Sequence, residues 1–117
     1  MNIKKFEIVN FLSDQKDEDK YGEYIINKFF KDEEFAKVKI KIDRHKLDVI
    51  FELSTFNLNS QKLISISKYC EFVDKIGNYQ FYVEGSGDVN EDSVFGIESA
   101  ININNLEKII KVDKYNL

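Results

Sequence analysis

Lys37 to Ser54 read KVKIKIDRHKLDVIFELS, and how this stretch folds sets the class of the whole chain. Val38, Ile40 and Ile42 alternate with Lys37, Lys39 and Lys41. That period of two places apolar side chains on one face and charges on the other, as in a half-buried strand. The polar residues DRHK supply a turn, and LDVIFELS continues as a β-branched, apolar strand. Residues 36 to 54 are therefore expected to form an antiparallel hairpin.

Moving toward the C-terminus, the pattern changes at Ser60. Asn59 or Ser60 can cap a helix whose apolar stripe is Leu63, Ile66, Cys70 and Val73, widened by Tyr69, Phe72 and Ile76. Gly77 falls where a left-handed cap would end it. Two strands, NYQFYVEG and SVFGIESAINI, follow, joined through EGSGDVNEDSVFG at residues 84–96. Asn104 and Asn105 are expected to turn the chain into LEKIIKV, which fits either helix or strand. Toward the N-terminus, residues 3–12 read as a first strand and SDQKDEDK as a loop. In YGEYIINKFF, Tyr21, Ile25 and Phe29 recur every four residues and Asp19 can cap, while Gly22 and the aromatics argue for a strand. The preferred reading is a short helix at about 20–31. The expectation is an α+β single domain, an antiparallel sheet packed against one main helix at about 60–76.

The 117 residues suffice for one domain. Ten Phe and six Tyr give enough bulk for an ordered core without staples. A single cysteine, Cys70, excludes an internal disulfide and a multi-cysteine zinc site, and points to a reducing compartment. The start, MNIKKFEIVNFLSD, is too short in apolar residues and too polar for a signal peptide, and no run approaches a membrane span. A cytoplasmic protein with no membrane association is expected.

Charge is unevenly spread over a net −4. No basic residue lies between Lys75 and Lys108, where Glu84, Asp88, Glu91, Asp92, Glu98 and Glu107 all fall. A second acidic zone holds Asp14, Asp17, Glu18 and Asp19, followed by Asp32, Glu33 and Glu34. The one basic stretch is KVKIKIDRHK, Lys37 to Lys46. Such blocks govern which partners are steered in.

Chemistry-bearing motifs are sparse. Asp88, Asn90 and Asp92 have the D-x-N-x-D spacing that opens a calcium loop, but the sixth position is Ser93 where glycine belongs and the twelfth is Ser99 where glutamate belongs. Strand-like segments flank the loop where helices are required. A glycine-bent turn explains it, and no metal is assigned. His45, the only histidine, lies in a turn without a positioned partner, and Cys70 lies on an apolar helix face. Hydrolase, phosphate-loop and zinc-protease motifs are missing. Neither an enzyme nor a cofactor is expected; a small carboxylate enzyme is the residual alternative. The lysines of Lys37–Lys46 form a phosphate-binding stripe in outline. The acidic chain opposes it, stacking aromatics are not interleaved, and strand lysines also guard sheet edges. Nucleic-acid binding is therefore an alternative and not the expectation.

Protein binding fits the charges best. Asp88, Glu91 and Asp92, flanked by Tyr79, Phe81, Tyr82 and Phe95, combine carboxylates with the aromatic anchors favoured at interfaces. Asp17, Glu18 and Asp19 form a second candidate surface. In size, acidity, lack of catalytic motifs and lack of an export signal, the chain resembles small acidic immunity proteins of bacterial toxin and contact-dependent inhibition systems. The resemblance implies binding and neutralisation of a cognate protein toxin, such as a nuclease. Phage inhibitors of host defence enzymes share the same features.

Overall fold

The computed structural model describes residues 8–10, 15–31, 37–56, 58–84 and 94–115. The hairpin forms as expected. Strand β2, Lys37–Asp43, pairs antiparallel with β3, Asp48–Thr55, with Ile40 opposite Phe51. Asp43 closes the turn by accepting hydrogen bonds from the backbone N–H groups of His45 and Lys46. Leu47 takes the left-handed conformation that completes it, at φ 56°.

Strands β4, Gly77–Glu84, and β5, Val94–Asn102, form a second antiparallel hairpin, and β5 docks on β3. Ile8–Asn10, β1, adds a short parallel edge to β2, so the sheet order is β1-β2-β3-β5-β4. Lys37–Asp43 therefore lies inside the sheet. The edge-guard reading of its lysines is corrected at Lys39, because β1 covers the edge at Val38–Ile40.

Alternation then sorts the sheet into two faces. Ile42, Val49 and Ile101 form one buried row, Ile40, Phe51 and Ser99 the next, and Val38, Leu53 and Ile97 a third. All of them face the helices. The main helix, α2, spans Ser60–Asp74 and is capped by Asn59, whose side chain accepts the Lys62 N–H. Its buried stripe is Lys62, Ser65, Ile66, Tyr69, Cys70 and Val73. Leu63, expected in the stripe, is instead 50% exposed at its margin. Gly77 does not cap α2 in a left-handed turn. It begins β4, and a Cβ there would lie 2.0 Å from the carbonyl oxygen of Ala100.

Two other helices complete the layer. Helix α1, Gln15–Ile25, begins earlier than expected and continues as a wider π turn over Ile26–Phe30. Gln15–Lys20 of the polar run read as a loop are its first turns, where Asp17 and Glu18 favour the positive end of the helix dipole. Asp19 lies within the helix and does not cap it. The wide turn sets Phe29 and Phe30 against Tyr69, at ring separations of 5.5 and 5.3 Å. The C-terminal segment is a helix too: α3, Ile103–Tyr115. Its cap is Asn102, whose side chain accepts the Asn105 N–H, so strand passes to helix without the turn expected at Asn104 and Asn105. Among the described residues no helix is long and apolar enough to cross a membrane.

Candidate functional site

The sequence-predicted aromatics divide between the two faces of β4. Tyr79, Phe81 and Val83 alternate onto the helix-facing side, opposite Ser99, Ile97 and Phe95. Tyr79 and Phe81 meet edge-on at 5.4 Å, and Phe81 lies 5.5 Å from Phe95. Tyr82 points the other way and lies across Gly96, where a Cβ would meet its ring at 2.1 Å. Three of the four aromatics thus form one cluster, and Tyr82 fills the open face instead.

This cluster is uncovered because β4 is the outermost strand. Phe81 is 50% and Val83 52% exposed, unusual for a side of the sheet that elsewhere carries the core. Helix α2 borders the cluster. Lys62, at its start, donates from Nζ to Thr55 Oγ1, and the Thr55 row continues through Phe95 to Val83. Two turns further on, Cys70 lies beside Tyr79, close enough for each to shift the other's titration. The helix column facing β4 therefore reads Leu63, Ser67, Cys70 and Asp74, at spacings of three and four. Leu63 adds apolar area to this flank, and Asp74 adds a carboxylate.

The electrostatics agree with that placement. Burial raises the Cys70 thiol above its ordinary value, against the opposing influence of Tyr79. The Tyr79 phenol is raised chiefly by the neighbouring Cys70, then by burial and by the charge of Asp74. Both groups are protonated near neutrality, so Cys70 packs as a small hydrophobe and not as a nucleophile.

Asp88, Glu91 and Asp92 lie outside the described residues, as do Asn90 and the rest of the calcium-like spacing. By chain order their segment joins Glu84 to Val94, at the Val83 and Phe95 end of the aromatic cluster. Among the described residues no group of three or more His, Cys, Asp or Glu is placed to hold a metal.

The second acidic zone sits elsewhere. Helix α1 packs on β2 and β1, across the sheet from β4. Asp17 pairs with Arg44 at 3.7 Å, Asp19 is half-buried, and Glu18 is fully buried. Glu18 therefore contributes nothing to a surface, because the helix turns its side chain inward.

On the open face, Lys39 reaches Glu52 at 3.8 Å, and Glu98 stands opposite Glu52. A shallow hollow of about 310 Å³ lies beside this row, between Lys46, Asp48, Ile50, Asn78 and Glu98. It mixes both charge signs. With Lys39 and Arg44 both facing carboxylates, the basic stripe is partly neutralised by its own neighbours.

Sequence reasoning missed the contributions of Leu63 and Val83 to the exposed flank. Both are apolar residues at strand or helix periodicity, which reads as core whether or not a neighbouring element covers them. No family model, curated protein or solved structure matches the chain.

Proposed function

We propose that this protein binds and neutralises another protein, a bacterial toxin with a positively charged working surface such as a nuclease, through the exposed flank of β4 and the acidic connection that follows it. The observation carrying the reading is the half-exposed Phe81, held between Tyr79 and Phe95 on the outermost strand. Aromatic side chains held rigidly by their neighbours make strong anchors, since little side-chain freedom is lost on binding. The same flank opens the run from Ile76 to Glu107, which has no basic residue. Carboxylates beside an apolar anchor attract a basic surface and quicken its approach. This is the design expected of an immunity protein, which the chain resembles in size and acidity.

The test is binding to the C-terminal domain of a large secreted protein encoded beside this chain's gene. Association at micromolar concentration or tighter, with loss of the domain's toxicity, supports the proposal. A neighbouring domain that neither binds nor is neutralised removes it. Retention of the chain on heparin at physiological salt would favour the lysine stripe of β2 and a nucleic-acid partner instead.

A further inference from the structure

The hollow on the open face has a floor of Ile50 and Ala100, cross-strand partners that are both half-buried. Lys46 and Asp48 stand at one end, where the turn between β2 and β3 closes. Glu98 stands at the other, opposite Gln80. Asp48 is level with Asn102 and Glu98 with Glu52, which separates the two carboxylates by about 13 Å along the strands. The volume of about 310 Å³ is at the small end of ligand sites, which run from about 300 to 1,000 Å³. That suits a molecule of amino-acid size. Asp48 and Glu98 are half-buried, and among the described residues neither carboxylate nor the Lys46 ammonium has a hydrogen-bond or ion-pair partner. Lys39 reaches Glu52 instead, and Lys41, opposite Ile50 on β2, lies outside the lining. Glu98 also faces Glu52 across the strand pair, a like-charge contact that a cation would relieve.

We propose that this hollow binds free arginine. One cation and one anion at one end, a second anion at the other and an apolar floor between them mirror the charges of a basic amino acid. The ligand carboxylate meets Lys46, its α-ammonium meets Asp48, and its guanidinium meets Glu98. The methylene stem lies over Ile50 and Ala100. Asn78 and Gln80, exposed on the β4 rim, add amide acceptors beside Glu98. A planar guanidinium with five donors uses more of these acceptors than a lysine ammonium does. An arginine at a chain terminus lacks either the carboxylate or the α-ammonium, and so leaves Lys46 or Asp48 unmatched. Toxin binding uses the opposite face of β4, so the two sites are independent.

The experiment titrates the full chain with L-arginine and follows backbone amide resonances. Saturable, submillimolar shifts are expected at residues 46–50, 78–80 and 98–100. Citrulline keeps the shape without the side-chain charge, agmatine lacks the carboxylate, and N-acetylarginine lacks the α-ammonium. Each should bind about tenfold more weakly or worse, as for loss of one charge-assisted hydrogen bond. Glu98→Gln keeps the side-chain size and removes the repulsion with Glu52, so the fold is retained. It should weaken arginine about tenfold or more and abolish the preference over citrulline. Lys46→Met should weaken arginine while leaving agmatine unchanged. Shifts that do not saturate at millimolar arginine, or that fall elsewhere on the surface, overturn the proposal. So does citrulline or lysine binding as tightly as arginine, or arginine affinity unchanged in Glu98→Gln.

Discussion

Two glycines in neighbouring strands show how one missing Cβ can have two different consequences. At Gly77 the space is occupied by backbone, the Ala100 carbonyl. At Gly96 it is occupied by the ring of Tyr82, a side chain that can swing away. Gly77→Ala should therefore destabilise by about 2 kcal/mol or more, because strand pairing itself must shift. Gly96→Ala should cost less, and most of its cost should vanish in a Tyr82→Ala background. Urea unfolding of the parent, the three single variants and the Gly96→Ala/Tyr82→Ala double variant measures both effects, and equal costs for the two glycines would contradict the contacts described. Tyr69 offers a second comparison. Its hydroxyl and that of Ser99 share a buried hydrogen bond of 2.5 Å. Tyr69→Phe leaves the Ser99 hydroxyl buried without this partner and should cost about 1–3 kcal/mol. Adding Ser99→Ala removes the stranded group, so the double variant should be closer to the parent than the sum of the two single changes. Full additivity would show that the pair carries no coupling.

At the scale of elements, α1 and α3 are joined by two polar clamps. Lys20 and Tyr21 both donate to Glu107, at 2.5 and 2.7 Å. Lys28 donates to Asp113 at 2.7 Å, and Tyr24 donates to the same carboxylate. Glu107 is held below its ordinary value chiefly by Lys20 and then by Tyr21. Asp113 is held down by Lys28 and then by Tyr24. Burial, aided by Asp113, pushes the Tyr24 phenol up to about 12. Carboxyl groups with depressed folded values leave the unfolded chain binding more protons in acid, so stability rises with pH across that range. The clamps act in full above the unfolded carboxylate range, about 4. They are lost as pH falls through the lower folded values. Glu107→Gln with Asp113→Asn should lower stability at neutral pH by about 1 kcal/mol, a modest figure because both sites are partly exposed and screened. The gap from the parent should close in acid. A gap independent of pH would mean that packing, and not charge, accounts for the clamps.

Across the whole molecule, the aromatic flank belongs to the β4 side of the sheet, and α1 packs at the other side, on β2 and β1. Charge reversal at Asp88, Glu91 and Asp92 should slow association with a basic partner, mostly at low salt, and change dissociation much less. Stopped-flow rates over a range of ionic strength measure this; an unchanged association rate would remove the connection from the docking surface. Reversal at Asp17 should leave that rate unchanged, since α1 packs on the opposite edge.

Much of this architecture was legible from the chain alone. Period-two alternation in KVKIKID and the stripe at Ile66, Cys70 and Val73 are local signals, carried by residues that make their own element amphipathic. The α+β class, the two hairpins, the main helix and its Asn59 cap follow from such signals. Three outcomes depended on tertiary structure. The SDQKDEDK run is partly helical because α1 packs on β2, and packing overrides weak local preference. LEKIIKV is helical in α3, where Leu106 is buried and Glu107 is clamped to α1. Last, Phe81 and Phe51 look alike in sequence, each an aromatic in an alternating strand. Strand order alone separates them: β3 lies inside the sheet beneath the helices, and β4 lies at its rim. The chain by itself determined which residues are apolar and at what period they recur. Which of those residues stay exposed was decided by the neighbours that the fold did or did not supply.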